Sequence, residues 1–172
     1  MNKSGIVRRV DDLGRIVIPK EIRKVLRIKE GDSLEISIFN TDVLLSKHSH
    51  IDEIKQLTLE ICEAFYNVTK QSVIIVDKVK VVAFSKMNDK ITDESLGEPF
   101  LNMLDENKEL FVKSEVNLND TVTLQASKGV IIKPLILFGD LLGAVIVLNN
   151  DLEISSVNSY INIISEIIVK NF

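Results

Sequence analysis

The start of the chain holds two short β-branched runs, and they constrain its fold more than any other feature. Residues 5–10 (GIVRRV) and 15–18 (RIVI) flank the turn sequence DDLG, and Pro19 ends the second run. This pattern predicts two strands joined by an acidic, glycine-containing turn. Proline cannot donate to a strand ladder but suits the first turn of a helix, so a short helix is expected over residues 21–27.

The following residues complete a small β-rich segment. Residues 33–39 alternate apolar and polar side chains, as a half-buried strand does, and residues 43–47 return as another strand after a turn at 40–42. A segment of about 47 residues is smaller than most single domains that are stable without a disulfide or a metal. We therefore predict that two copies of this segment dimerise.

Charge is distributed unevenly along the chain. The first 30 residues carry nine Lys and Arg side chains against four acidic ones, a net charge of +5, whereas the whole chain carries −4. A compact basic segment on an acidic body is expected of a protein that meets a polyanion at one end. The bases lie between apolar residues and at turn positions, which indicates a folded surface and not a disordered tail.

These motifs carry a family resemblance. The run GIVRRVDDLGRIVIP over residues 5–19, then EIRKVL over 21–26 and LEI after a Gly-Asp turn, closely resembles the start of the AbrB-type transition-state regulators. The resemblance spans residues 3–47 and implies a swapped-hairpin β-barrel built by two chains. It also implies that double-stranded DNA is bound by the basic residues of this segment. Those residues are Arg8, Arg9, Arg15, Lys20, Arg23 and Lys24.

The bases are spread over a strand, a turn and a short helix, so no single helix reads the DNA. We expect phosphate contacts to dominate affinity, and DNA shape to contribute to a loose sequence preference. Lys24 stands where family members often have Arg, and lysine cannot form the bidentate fork, so a phosphate contact is expected there. The open alternative for all these bases is a solvated charged face that keeps a small dimer soluble.

The pattern of the remaining residues, from 49 to 172, predicts an α+β domain, which we call the body. Apolar residues three or four apart over 51–68 predict a long amphipathic helix, with Ser49 as its N-cap. Helical stretches are expected near 93–96 and 99–107, and a final helix runs from residue 154. Strands are predicted at 72–77, 79–84, 110–112, 121–125, 130–138 and 141–148. The pattern indicates an antiparallel sheet with helices packed on one side.

The domain organisation follows from this pattern. We expect a DNA-binding domain over 1–48, a connecting helix over 49–70 that is also the first helix of the second domain, and a sensory and oligomerisation domain over 71–172. Together these parts are similar to the sporulation regulators of the same family, which carry a GAF-like C-terminal domain. That resemblance implies an activator and repressor of late sporulation genes, tetramers built with the linking helices, and an unidentified small-molecule effector. Side-chain filling of the body's interior is the open alternative to an effector site.

Candidate catalytic and metal-binding residues are few. Asp11 and Asp12 have no accompanying nucleophile or base, so we expect them to form the turn and orient arginines. His48 and His50 lie close to two acidic residues but lack a second ligand pair, and solvated linker histidines are expected. We therefore predict that the chain is not an enzyme and carries no metal or cofactor.

Cysteine usage and hydropathy bear on the compartment. Cys62 is the only cysteine, which excludes an internal disulfide and makes the cytoplasm the default location. It lies beside the apolar stripe of the 51–68 helix and is expected to act as a small buried hydrophobe. The longest uncharged apolar runs are too short to span a bilayer, so no membrane partner is expected.

Two other function classes remain open. An antitoxin-like module would bind DNA with the basic segment and a protein partner with the C-terminal region. Antitoxin tails are usually short and disordered, whereas residues 51–172 are apolar and periodic enough to fold. A small-molecule enzyme in the body is disfavoured because acid, base and nucleophile are not found together.

Overall fold

The computed structural model describes residues 5–86, 91, 94–106 and 109–172. The chain divides into two compact units, unit 1 (Met1–His48) and unit 2 (Ser49–Phe172). Among the described residues, no helix is both long enough and apolar enough to cross a lipid bilayer.

Unit 1 contains one short helix and one hairpin. Helix α1 (Lys20–Val25) begins directly after Pro19, whose carbonyl accepts the Arg23 N–H at 2.9 Å. Strands β1 (Leu34–Phe39) and β2 (Asp42–Lys47) pair antiparallel in the register that the alternation predicts. The predicted helix and the two later strands are therefore confirmed.

The first two predicted strands are not formed in this single chain. The turn is present, because Gly14 has φ +76° and the Asp11 N–H donates to the Arg15 carbonyl at 3.0 Å. The runs on either side of it pair with no strand among the described residues, and Val7 and Val17 are 88% and 75% exposed. A strand needs a neighbour for its backbone groups, and one copy of unit 1 supplies none.

Unit 1 has almost no interior of its own. Pro19 is the one buried residue among those described in this unit. Most of its large apolar side chains are instead exposed, which is the opposite of a stable single domain. The exposed set is Ile6, Val7, Val10, Leu13, Ile16, Val17, Val25, Leu26, Ile36, Ile38, Phe39, Val43 and Leu44.

Unit 2 is built on a five-stranded antiparallel sheet with the order β4-β3-β7-β6-β5. Four helices accompany this sheet. The strands are β3 (Ser72–Val76), β4 (Val81–Phe84), β5 (Phe111–Asn117), β6 (Thr123–Leu137) and β7 (Asp140–Leu148). The helices are α2 (His50–Glu53), α3 (Lys55–Thr69), α4 (Glu98–Glu106) and α5 (Ile154–Val169).

The sheet of unit 2 is covered on both faces. Alternate residues of the central strands point to two separate apolar cores, one shared with α2, α3 and α5, the other with Phe100 and Leu104 of α4. The prediction that the helices pack on one side is therefore wrong. The physical reason is that β3 and β7 are apolar on both faces, so each face needs a cover.

The predicted helix over 51–68 is divided in two. Ser49 caps α2 as expected, since its hydroxyl accepts the Asp52 N–H at 3.1 Å, but the backbone leaves the helix at Ile54 before α3 begins. Ile51 is fully buried against Gly143, where any Cβ would overlap the Val76 carbonyl oxygen. The break lets Ile51 and the buried stripe of α3 both reach the sheet.

Two further predictions differ in detail from the structure. The strands expected at 121–125 and 130–138 form one strand, β6, whose register with β5 shifts between Lys113 and Glu115. The helical stretch expected near 93–96 lies partly outside the described residues. Of the part that is described, Ser95 bridges Lys80 as extended chain.

Candidate nucleic-acid interface

All six basic residues predicted to contact DNA lie in unit 1, and all are exposed. Arg8 and Arg9 belong to the extended run before the 11–14 turn, and Arg15 follows that turn. The other three lie on α1, where they share a face because they are three and four residues apart. These three are Lys20, Arg23 and Lys24.

Asp11 organises the turn that carries Arg15. Its carboxylate accepts the backbone N–H groups of Leu13 and Arg15 at 3.0 and 2.7 Å, and the Arg15 Nε–H at 2.7 Å. The backbone N–H of Arg15, and then its guanidinium, hold the pKa of Asp11 below its usual range. The pair uses Nε, so the terminal nitrogens of this 71% exposed side chain remain available for a phosphate or a base edge.

Asp11 therefore acts as predicted, by forming the turn and orienting an arginine. Asp12 is exposed and takes part in none of the contacts that hold the turn.

A second polar cluster in unit 1 was not anticipated from the sequence. The Lys47 ammonium lies 2.8 Å from Asp32, and the two side chains are only 13% and 11% exposed. Lys47 also donates to the Arg27 carbonyl, and Asp32 accepts the Lys29 N–H at 2.9 Å. This cluster ties the end of α1 and the turn before β1 to the end of β2, so Lys47 is structural and not part of the DNA-facing set.

Of the other residues considered in the sequence analysis, His48 ends unit 1, where it is half-buried and its backbone N–H donates to the Ser33 carbonyl at 3.0 Å, whereas Cys62 and His50 lie in unit 2. Burial, and then the charge of Glu63, raise the pKa of Cys62 to about 12, so this thiol stays protonated as an inert core residue. His50 is half-buried, with its ring 5.7 Å from that of Phe172 and its Nδ1 4.0 Å from the Glu53 carboxylate. His50 is therefore only partly exposed to solvent, because the ring of Phe172 lies beside it.

Comparisons with known proteins agree with this division of the chain. Residues 7–51 match the family described as antidote-toxin recognition MazE, bacterial antitoxin. Residues 53–169 match the family described as stage V sporulation protein T C-terminal, transcription factor.

Two curated relatives from Bacillus subtilis (strain 168) extend these matches. Stage V sporulation protein T is 36% identical over 160 residues, which cover 88% of this chain and 86% of that protein. Transition state regulatory protein AbrB is 50% identical over 48 residues, which cover 28% of this chain and half of that protein. The similarity defines a DNA-binding transcription regulator and not an enzyme. The chain belongs to the stage V sporulation protein T family.

A solved structure resembles the body of the chain. A methyl-accepting chemotaxis protein fragment superposes with a TM-score of 0.52 at 13% identity, covering 69% of this chain and 88% of that one. At this identity the likeness shows the fold alone. In this chain the fold is an α+β domain on an antiparallel sheet.

Proposed function

We propose that this protein activates and represses late sporulation genes from the cytoplasm, by gripping double-stranded DNA with two copies of unit 1. The observation that carries this proposal is that unit 1 exposes six basic side chains and its apolar side chains together. Family membership supplies the class of regulator, and the exposed apolar residues argue for a paired copy. The stage in sporulation rests on the relative named above.

A second copy would complete unit 1 in a specific way. The runs 5–10 and 15–18 form no helix or strand, flank a formed turn and pair with no strand among the described residues. Pairing them with the same runs of another chain would satisfy their backbone groups and bury the exposed valines and isoleucines, each worth about 1.5–3 kcal/mol. We therefore assign a swapped-hairpin barrel to the dimer.

In this dimer each copy would contribute one set of six bases, so the DNA would meet twelve positive charges on one body. Arg15, held by Asp11, would enter the interface with little loss of side-chain freedom. The three bases of α1 and the two of the first run would bind phosphates. Affinity should then fall steeply with salt.

The tetramer would be formed through α5. Its inner face is buried, but Tyr160, Ile163 and Ile167 are exposed at spacings of three and four residues along its outer face. Such an apolar stripe on an exposed helix is typical of a helix–helix contact. We assign to it the contact that joins two dimers.

An effector would act through unit 2. We place it between α4 and the sheet, because α4 is the one described helix on that face. Phe100 and Leu104 fill this space with their side chains, so a ligand would have to displace α4. It would change DNA affinity only to the extent that it binds the two arrangements differently.

The experiment is a fluorescence-anisotropy titration of labelled promoter DNA at several salt concentrations. Arg15→Ala should weaken binding, and it should reduce the slope of log affinity against log salt by about 0.9 for each lost phosphate contact. Lys113→Ala, an exposed lysine on β5 of unit 2, is the matched control and should change neither. Equal affinity and slope for Arg15→Ala and the unchanged protein would refute this interface.

An antitoxin-like role is the second candidate, and the match of residues 7–51 to an antitoxin family favours it. In that case the C-terminal region would bind a toxin. Unit 2 already has two buried cores, so it does not need a partner to fold. Rescue of cells from a co-expressed toxin by unit 2 would support this role, and DNA binding without rescue would exclude it.

A further inference from the structure

The tip of the β6–β7 hairpin has two features that do not favour the stability of the fold. Leu137 pairs with Asp140, so Phe138 and Gly139 form a two-residue turn, with φ +51° and +94°. Turns of this kind favour Asn-Gly, because an L-residue with a bulky side chain is strained at positive φ. Phe138 is in addition 97% exposed, so its ring gains nothing from its own chain. Strained, exposed aromatic side chains of this kind are typical of binding anchors.

A second unusual feature lies at the end of α3. The ammonium groups of Lys70 and Lys86 lie 5.7 and 4.9 Å from the centre of the same ring, that of Tyr66. Both lysines also have positive φ, +58° for Lys70 and +33° for Lys86. Neither forms an ion pair with a carboxylate among the described residues. Two cations crowded on one aromatic ring attract an anionic group, although unit 2 as a whole is acidic.

The hairpin tip and the Tyr66 patch (Tyr66, Lys70 and Lys86) cannot meet within one chain. Lys70 lies two residues before Ser72, which pairs with Leu148 at the far end of β7, whereas the tip precedes Asp140 at its other end. Nine strand residues separate these ends, a span of about 25 Å at the usual rise.

We propose that the Phe138 tip of one copy docks on the Tyr66 patch of a second copy. The Phe138 ring would stack against Tyr66, and the Asp140 carboxylate would lie between the two ammonium groups. The two features lie at opposite ends of the sheet. A twofold axis between two copies would therefore place the tip of each copy on the Tyr66 patch of the other. Such a reciprocal contact closes on itself and does not propagate into a fibre. The tip and the Tyr66 patch both belong to unit 2, whereas the bases of the proposed DNA interface belong to unit 1.

The first test is zero-length carbodiimide cross-linking of the full chain. Equal amounts of ¹⁴N- and ¹⁵N-labelled protein are mixed and allowed to exchange subunits before the reaction. The proposal predicts Asp140–Lys70 or Asp140–Lys86 peptides that carry one light and one heavy half. Cross-links from Asp140 to other lysines only, or none, would overturn it.

The second test uses a substitution that should raise the stability of the fold but weaken the association between copies. Phe138→Asn should raise the unfolding temperature, because Asn-Gly suits this turn, yet weaken association in sedimentation equilibrium by at least about tenfold. Val112→Thr, an exposed residue on β5, is the control and should leave association unchanged. Association unchanged in Phe138→Asn would overturn the proposal.

A charge exchange tests the pairing itself. Asp140→Lys and Lys86→Glu should each weaken association, and the double variant should recover most of the loss because opposite charges again face each other between copies. A double variant as weak as the sum of the two single losses would contradict the pairing. DNA affinity, measured in parallel on dilute protein, should stay unchanged in all these variants.

Discussion

The two units differ in how much of their apolar surface they bury. Unit 2 packs two cores on the two faces of one sheet, and its central strands are almost fully buried. Unit 1 has apolar residues in similar patterns, yet Pro19 is its one buried residue among those described. The same side-chain chemistry is thus buried in one unit and exposed in the other. The difference teaches why pairing is proposed for unit 1, whereas unit 2 buries its apolar surface within one chain.

The largest loss of stability is expected at Gly143, where unit 2 has no space for an additional side-chain atom. Gly143→Ala would drive a Cβ into the Val76 carbonyl oxygen and the fully buried Ile51. We expect unit 2 to lose more than about 4 kcal/mol of its free energy of unfolding, measured by urea denaturation. Gly5→Ala, which has no atom near the new Cβ, is the control. A stable Gly143→Ala protein would show that unit 2 is less tightly packed than described.

The second prediction concerns the exposed apolar residues of unit 1. Val17→Asp changes a side chain that is exposed in one chain, but in a paired barrel it would bury a charge. We expect dimer formation through unit 1 to be lost, by at least about 3 kcal/mol, in sedimentation equilibrium. The unfolding of unit 2 should not change. If Val17→Asp associates as well as the unchanged protein, the exposed apolar residues of unit 1 are not buried between two copies.

A smaller effect is expected from the polar cluster of unit 1. Lys47→Met would remove the ammonium group that lies 2.8 Å from the mostly buried Asp32 carboxylate. We expect unit 1 to lose about 2 kcal/mol, measured as faster amide exchange in β1 and β2. Lys170→Met removes an exposed pair with Glu166 and should cost less than about 0.5 kcal/mol. Equal effects of the two variants would show that the cluster does not hold unit 1 together.

The smallest effect concerns pH and Cys62 in unit 2. Its pKa is about 12 in the folded protein against 9.0 for an unburied thiol, so folding favours the protonated form. The stabilisation is complete below pH 9 and is lost as pH rises towards 12. At pH 10 the unchanged protein should have lost about 1 kcal/mol relative to Cys62→Ala, each measured against its own stability at pH 8. Rapid alkylation of the folded protein at pH 8 would contradict the burial of this thiol.

Much of the secondary structure could be predicted from local patterns. The alternation over 33–39, the acidic turn before Arg15 and the Ser49 cap all depend on residues close in sequence, and each is present. The packing of α4 on the second face of the sheet could not be predicted from local sequence patterns. It depends on which face of β3 and β7 remains uncovered, and this is a property of the whole domain.

The candidate site could be predicted in part. The turn motif indicates that Asp11 holds Arg15, because the two residues are four apart. The pair between Asp32 and Lys47 lies outside any local pattern, since fifteen residues and two strands separate its members. In the proposed dimer, the positions of Arg8 and Arg9 relative to the α1 bases would depend on a second chain, so local sequence patterns do not predict them.

Hydrogen–deuterium exchange of the full chain over a dilution series tests the central claim most directly. If unit 1 is half of a dimeric barrel, the amides of residues 5–10 and 15–18 will be protected at high concentration. They will lose protection on dilution, while the amides of β3, β6 and β7 stay protected throughout. Protection of both runs that does not depend on concentration, in a protein that sediments as a monomer, would contradict the account.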